Sequence, residues 1–213
     1  MVKRDKRRAD HGDSVVRGRL LAAATELFTI KGYAATSVRE IVEAAGVSKP
    51  VLYYWFGNKE GIYLELMTEP FGRFTALLEE CLGTAGSPCG RLVDLLDRTL
   101  MLVRENLGGT RLMYSIYYGP PQGAPFVDFE GYHRHFQDAI RELVFGGIEA
   151  GELRSEKVDD MMWILLGVFN VALEEQLCGR PDRPPGIDRE GLRRMLTLVL
   201  NGFAARTADE VER

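Results

Sequence analysis

Few side chains in this 213-residue chain have the types and spacing that bond-breaking chemistry requires. His133 and His135 are two residues apart, which sends them to different sides of a helix, whereas metal pairs on a helix lie three or four apart; His11 stands near the N-terminus. The three cysteines, Cys81, Cys89 and Cys178, are an odd number without CxxC spacing, so neither a disulfide framework nor a zinc ribbon is indicated. No HExxH motif and no phosphate-binding glycine loop occurs, and no nucleophile has a recognisable base. The expectation is no metal, no cofactor and no catalysis, with an enzyme kept as the alternative from another class. What remains is a stretch between residues 37 and 59 that is rich in hydroxyl, indole N–H and ammonium donors.

The elements that must position those donors are helical. Over 15–30 the apolar residues Leu20, Leu21, Ala24, Leu27 and Phe28 recur at steps of three and four, and Lys31-Gly32 supplies the cation and glycine of a helix end. Ser37-Val38-Arg39-Glu40 reads as a capping box opening a second helix with a buried face of Val38, Ile41, Val42 and Ala45, stopped by Gly46. Ser48 then caps a third helix with Pro50 in its first turn, where the missing N–H removes a donor that has no intrahelical partner. Two short helices joined at Ala45-Gly46 read as a helix-turn-helix over 37–56, and the turn taken alone also fits an ordinary αα-corner.

Further along, helices are expected over 60–82 with a break at Pro70, then 91–107, 111–118, 127–150, 161–177 and 192–203, the last two separated by the loop 179–186. No sustained alternation marks a strand and no repeat is evident. The fold class is all-α, with about nine helices.

Composition agrees with a globular protein, at 46% apolar and 27% charged residues. The net charge of −4 is unevenly distributed: residues 1–60 hold 11 Lys and Arg against 7 Asp and Glu, a net of +4, and the remainder carries 16 against 24, a net of −8. The basic N-terminus has no apolar run behind it, so it does not read as a secretory signal. The most apolar run, 161–169, falls short of the roughly 18 residues that span a bilayer. A cytoplasmic protein without a membrane partner is expected.

The block RLLAAATELFTIKGYAATSVREIVEAAGVSKPVLYYWFGNKEGIYLELM resembles the N-terminal domain of the TetR family of transcriptional regulators. ELF and KGY close the first helix, ATSVREI opens the second, AAGVSK forms the turn and LYYWFGNKE leaves the third. The resemblance implies a basic tail over 1–13, a helix-turn-helix DNA-binding domain over 14–74 and an all-α effector-binding and dimerisation domain over 75–213. In such docking the N-terminal residues of the motif's second helix face base edges. Here these are Ser48, Lys49 and Pro50, with Lys49 suited to guanine O6 or N7, Pro50 to a thymine methyl, and Arg39 long enough to reach a guanine. The resemblance also implies phosphate contacts from Ser37, Tyr53, Tyr54, Trp55 and Lys59. Pro50 and Trp55 depart from the family's usual small residue and histidine. Competing readings make Tyr53 and Trp55 core residues, pair Arg39 with Glu43, and have Lys59 merely start the next helix. Lys3, Arg4, Lys6, Arg7 and Arg8 form an arm that follows the phosphates or enters a minor groove, or else a solubilising tail.

Segments 161–177 and 192–203 are apolar nearly all round, which calls for cover on more than one side. The resemblance supplies it as a homodimer interface, here assigned to Val168, Val171, Leu196, Val199, Leu200 and Phe203. Met113, Tyr114, Tyr117, Tyr118, Phe129, His133, Phe136 and Trp163 are the makings of a pocket for a small hydrophobic or aromatic effector, and equally of a core. The expected function is a homodimeric repressor released from a pseudo-palindromic DNA operator by that effector. An activator, a regulator without ligand and a protein-binding helix-turn-helix are the alternatives.

Overall fold

The computed structural model describes residues 3–179 and 186–204, with side chains from residue 13 onward. Among the described residues the chain forms nine helices: α1 (Lys3–Lys31), α2 (Val38–Ala45), α3 (Lys49–Phe56), α4 (Lys59–Gly83), α5 (Pro88–Glu105), α6 (Leu107–Tyr117), α7 (Phe129–Glu149), α8 (Val158–Cys178) and α9 (Arg189–Phe203). Among the described residues, extended pairing is confined to one isolated antiparallel bridge, Leu153 with Ala204.

Three elements differ from the sequence expectation. Helix α1 begins at Lys3 instead of near residue 15, in keeping with the Arg, Lys and Ala that dominate its first turns and favour helix. The five cationic residues of the expected arm therefore belong to a helix, and their side chains lie outside the described residues. Helix α4 continues through Pro70, which removes one main-chain hydrogen bond while Met67, Leu77 and Leu78 remain buried. Helix α8 runs for 21 residues, longer than its most apolar run suggested, and by length and composition alone could cross a membrane. Its contacts with α5, α7 and α9, and the burial of Met162, Leu165, Leu166 and Phe169, make it the central helix of a core.

The chain divides into two compact units. The first comprises residues 1–70 and 108–127. Its core is Leu20, Ala24 and Phe28 of α1, Ile41 and Val42 of α2, Leu52 of α3 and Ile62 and Tyr63 of α4. Most of α6 and the segment after it belong here: Gln122 Oε1 accepts a hydrogen bond from the Tyr33 N–H at 3.2 Å, and a Cβ on Gly108 would meet the Thr25 methyl at 3.3 Å. The second unit comprises 71–107 and 128–213, where α5, α7, α8 and α9 pack on one another around Leu92, Leu96, Ile140, Val144, Leu165 and Leu196.

Candidate nucleic-acid interface

The α2–α3 segment is built by local signals. Ser37 has extended backbone (φ −103°, ψ 155°); its hydroxyl accepts from the Glu40 N–H at 3.3 Å, and the Glu40 carboxylate accepts from the Ser37 N–H at 2.9 Å. This reciprocal capping box satisfies two donors that the first turn of α2 leaves unpaired. Lys31 also contacts Glu40, and these partners hold its carboxyl down at about 2, the Lys31 hydrogen bond contributing most. At the other end Gly46 is left-handed (φ 63°, ψ 39°), so that the Val47 N–H reaches back to the Val42 carbonyl at 3.0 Å. A Cβ-bearing residue there would be strained. The chain turns once and re-enters helix at Lys49.

Helix α3 is held by Leu52 and Phe56, both buried, and presents Lys49, Pro50, Tyr53 and Tyr54 to solvent, Tyr54 with 77% of its surface exposed. Trp55 is half-buried and packs edge-on to Tyr54 with ring centroids 5.1 Å apart. Ser48 caps α3 by backbone conformation alone; its side chain makes no capping hydrogen bond. Arg39 pairs with Glu43 at 2.7 Å on the surface of α2, with both side chains mostly exposed (75% and 60%). Such a solvated pair is weak and leaves the guanidinium exchangeable.

Lys59, for which the resemblance implied a phosphate contact, already has partners within the fold. Its ammonium donates to the Tyr33 and Thr36 carbonyl oxygens, each at 3.0 Å, and lies 4.2 Å from the centre of the Tyr33 ring. It fastens the α1–α2 corner to the start of α4. Two neighbours invisible to the motif reading complete this joint. Asn58 caps α4 by accepting from the Gly61 N–H at 2.8 Å, and a Cβ on Gly61 would stand 1.9 Å from the Phe56 carbonyl oxygen, so glycine alone permits that approach. Behind them Tyr63 is fully buried against Phe28 and Tyr33, and burial, followed by the nearby Tyr33, pushes its hydroxyl up to about 12.

The residues expected to line a pocket scatter. Within the first unit Tyr114 is half-buried and tilts against Tyr118, while Tyr117 and Tyr118 are largely exposed; Met113 is half-buried. Within the second, Phe136 is a core residue between Phe74 and Phe169, Phe129 packs on Phe71, and His133 and Trp163 face solvent. A cleft of about 260 Å³ in that unit is lined instead by Cys81, Thr84, Ser87, Arg91 and Asp94, among others. Among the described residues no group of three His, Cys, Asp or Glu could hold a metal ion.

The apolar faces of α8 and α9 also sort differently. Leu196, Leu200 and Phe203, expected at a subunit interface, are buried in the chain's own core, because with Leu192 they share the face of α9 that packs on α5 and α8. Val168 and Val199 are half-buried, and Val171 is exposed. The apolar surface left open on these two helices is Trp163, Ile164, Val171 and Leu198, each about half or more exposed.

A model of the tetR family of bacterial regulatory proteins matches residues 20–66, which contain the whole α2–turn–α3 arrangement and the joint that follows it. The transcriptional activator FasR of Mycolicibacterium smegmatis is 34% identical over 141 residues, covering 65% of this chain and 64% of FasR, slightly less than two thirds of that relative's length. The transcriptional repressor AcnR of Corynebacterium glutamicum is 26% identical over 184 residues, covering 86% of this chain and 89% of AcnR. Among solved structures, the TetR family regulator PfmR of Thermus thermophilus superimposes with a TM-score of 0.66 at 28% identity, covering 86% of this chain and 97% of PfmR. With the family's motif folded as a capped helix-turn-helix on an all-α frame, residues 20–66 are a DNA-binding domain of the TetR family of helix-turn-helix transcriptional regulators.

Proposed function

We propose that the protein is a homodimeric repressor that reads a pseudo-palindromic DNA operator through α3 and leaves it when a small hydrophobic or aromatic effector binds. The observation that carries this reading is the two-sided character of α3: Leu52 and Phe56 anchor it while Lys49, Pro50, Tyr53 and Tyr54 stay exposed. Ser48, Lys49 and Pro50 stand at the helix end that meets base edges in helix-turn-helix docking, and Arg39 on α2 is long enough to reach a guanine. Tyr53, Tyr54 and Trp55 carry donors suited to the phosphates on either side, with Ser37 at the cap of α2 as a fourth contact once its hydroxyl leaves Glu40. The domain that does this extends over 14–74, and residues 75–213 supply the dimer and effector functions.

The open apolar strip of Trp163, Ile164, Val171 and Leu198 supports a second copy as partner, since two-fold pairing would cover it and put two α3 helices on one operator. Repression needs only occupancy of a promoter; FasR is named an activator and AcnR a repressor, so the relatives' names support either sign. Effector release follows from population shift, limited by the effector's differential affinity for the two states.

Selection of bound duplexes from a random pool tests this reading. An enriched inverted repeat is expected. Enrichment of an unpaired half-site removes the dimer, and no enrichment at all removes DNA reading. A thermal-shift panel of acyl and aromatic compounds tests the effector class, and a Tm unmoved by every compound counts against it.

A further inference from the structure

The described cations of the first unit are unequal in what already occupies them. Arg17 pairs with Glu65, Lys31 with Glu40 and Arg39 with Glu43; Lys59 is bound to two carbonyl oxygens, and Arg111 has a partner within the fold. Arg19 and Lys49 are the two described cations of this unit with neither an ion pair nor a hydrogen bond. Lys49 opens α3 and is already part of the reading above. Arg19 lies on α1, outside the motif, yet it is close to it: a Cβ on Gly46 would stand 3.7 Å from Arg19 Nη1. The guanidinium therefore lies over the left-handed turn that leads through Val47 and Ser48 into α3. Its neighbour Leu20 is fully buried, which fixes the register of α1 and keeps Arg19 on the solvent side.

We propose that Arg19 is a DNA-backbone contact, binding a phosphate that flanks the bases met by the N-terminus of α3. This rests on the DNA-binding reading and adds to it a residue from α1. An unpaired guanidinium is the side chain best shaped for a phosphate, with its fork of N–H donors and its permanent charge. Here it stands beside the end of α3, where the helix dipole is also positive, so both favour an anion at the same place. The acidic residues that neutralise the other cations do not reach it, and no internal contact must break when DNA arrives. The contact positions the head on the duplex and carries no sequence information.

The test measures affinity as a function of salt for the full chain, on a duplex recovered by selection and on a random-sequence duplex. The proteins compared are wild type, Arg19→Ala, Arg19→Lys and Arg134→Ala, the last removing an exposed cation from the second unit as a control for net charge. Loss of one phosphate contact makes the slope of log K against log[salt] shallower by about 0.9 per subunit and weakens binding about eightfold per subunit at 0.1 M salt. Arg19→Ala is expected to show this on both duplexes, Arg19→Lys to retain most of the slope, and Arg134→Ala to match wild type. A slope unchanged in Arg19→Ala, an equal loss in Arg134→Ala, or a defect confined to the selected duplex overturns the proposal while leaving DNA binding intact. Wild type that binds neither duplex overturns both. Thermal melts of each variant check folding, and a misfolded alanine variant leaves the Arg19→Lys and Arg19→Gln pair, whose slopes must then differ for the proposal to stand.

Discussion

Arg189 grips the fully buried carboxylate of Asp97 with two near-parallel hydrogen bonds, Nε to Oδ1 at 2.8 Å and Nη2 to Oδ2 at 2.7 Å. Arg193, one turn further along α9, adds another at 2.6 Å. A carboxylate buried in α5 would be costly alone, and two guanidinium groups from the first turns of α9 make it tolerable while tying the two helices together. Burial raises the Asp97 carboxyl, and the hydrogen bonds and charges of Arg189 and Arg193 more than reverse this, leaving it below its ordinary value.

Asp97→Ala should therefore destabilise the protein by about 2–4 kcal/mol at neutral pH, since it removes the acceptor from two partly buried cations. Arg193→Met should cost less, about 1 kcal/mol, because Arg189 still holds the carboxylate. The sign of the pH dependence follows from the depressed pKa: the stabilisation is fully present above the ordinary carboxylate value and is lost as pH falls through the folded one. Urea denaturation at pH 7 and again near pH 3 checks this. A gap between wild type and Asp97→Ala that fails to narrow in acid contradicts the assignment.

Lys59 is expected to behave as a structural residue. In Lys59→Met the apolar stem survives, but the Tyr33 and Thr36 carbonyls lose a charged donor, a cost of about 2 kcal/mol. For a chain of this length that corresponds to a Tm lowered by about 4–8 °C. With two of its three N–H donors spent on main-chain oxygens, the ammonium is committed to the fold, and the salt slope of DNA binding should stay near the wild-type value. A normal Tm with a shallower slope would restore the phosphate role.

Glu40 gives the α2 cap its own pH signature. Its carboxyl is held at about 2 by the Lys31 hydrogen bond first and by the Ser37 N–H and hydroxyl after it, so the contribution is present above the usual carboxylate range and disappears as pH drops toward about 2. Glu40→Gln keeps a side-chain acceptor for the Ser37 N–H but loses the charge. Its stability should fall less steeply than that of wild type over that acid range, and parallel curves would remove Glu40 from the acid response.

What could be read from the sequence was what neighbours in sequence decide. Ser37 and Glu40 are three apart, Gly46 follows an apolar run, and Ser48 with Pro50 opens the next, so the motif and its register were legible before any coordinates. The same holds for the all-α class, because each helix carries its own periodicity. The role of Lys59 was not legible, since its partners Tyr33 and Thr36 are 26 and 23 residues away and are main-chain atoms without a sequence signature. Nor was the free state of Arg19, which depends on where Glu43, Glu40 and Glu65 find their partners. Asp97 carries no local signal either, since its partner Arg189 lies 92 residues further on.

The faces of α9 show the same limit and yield the last prediction. Leu192, Leu196 and Leu200 recur at steps of four and are buried, whereas Leu198 lies two positions from Leu196 and Leu200 and is 71% exposed. Both sets are apolar, so composition cannot say which covers the core and which awaits a partner. The packing of α9 on α5 and α8 shows which covers the core. Leu196→Ala should then act as a core deletion, costing about 2–5 kcal/mol without changing the assembly formed by whatever protein remains folded. Leu198→Glu and Val171→Glu should do the reverse, leaving the thermal stability of the isolated chain near wild type while placing a charge on the open strip. If that strip is covered by a second copy, sedimentation should show wild type at twice the 23.9 kDa chain mass and the two glutamate variants shifted toward one chain. Glutamate variants that sediment like wild type would place the subunit contact elsewhere, and an assembly lost only in Leu196→Ala would return the interface to the face of α9 that the fold buries.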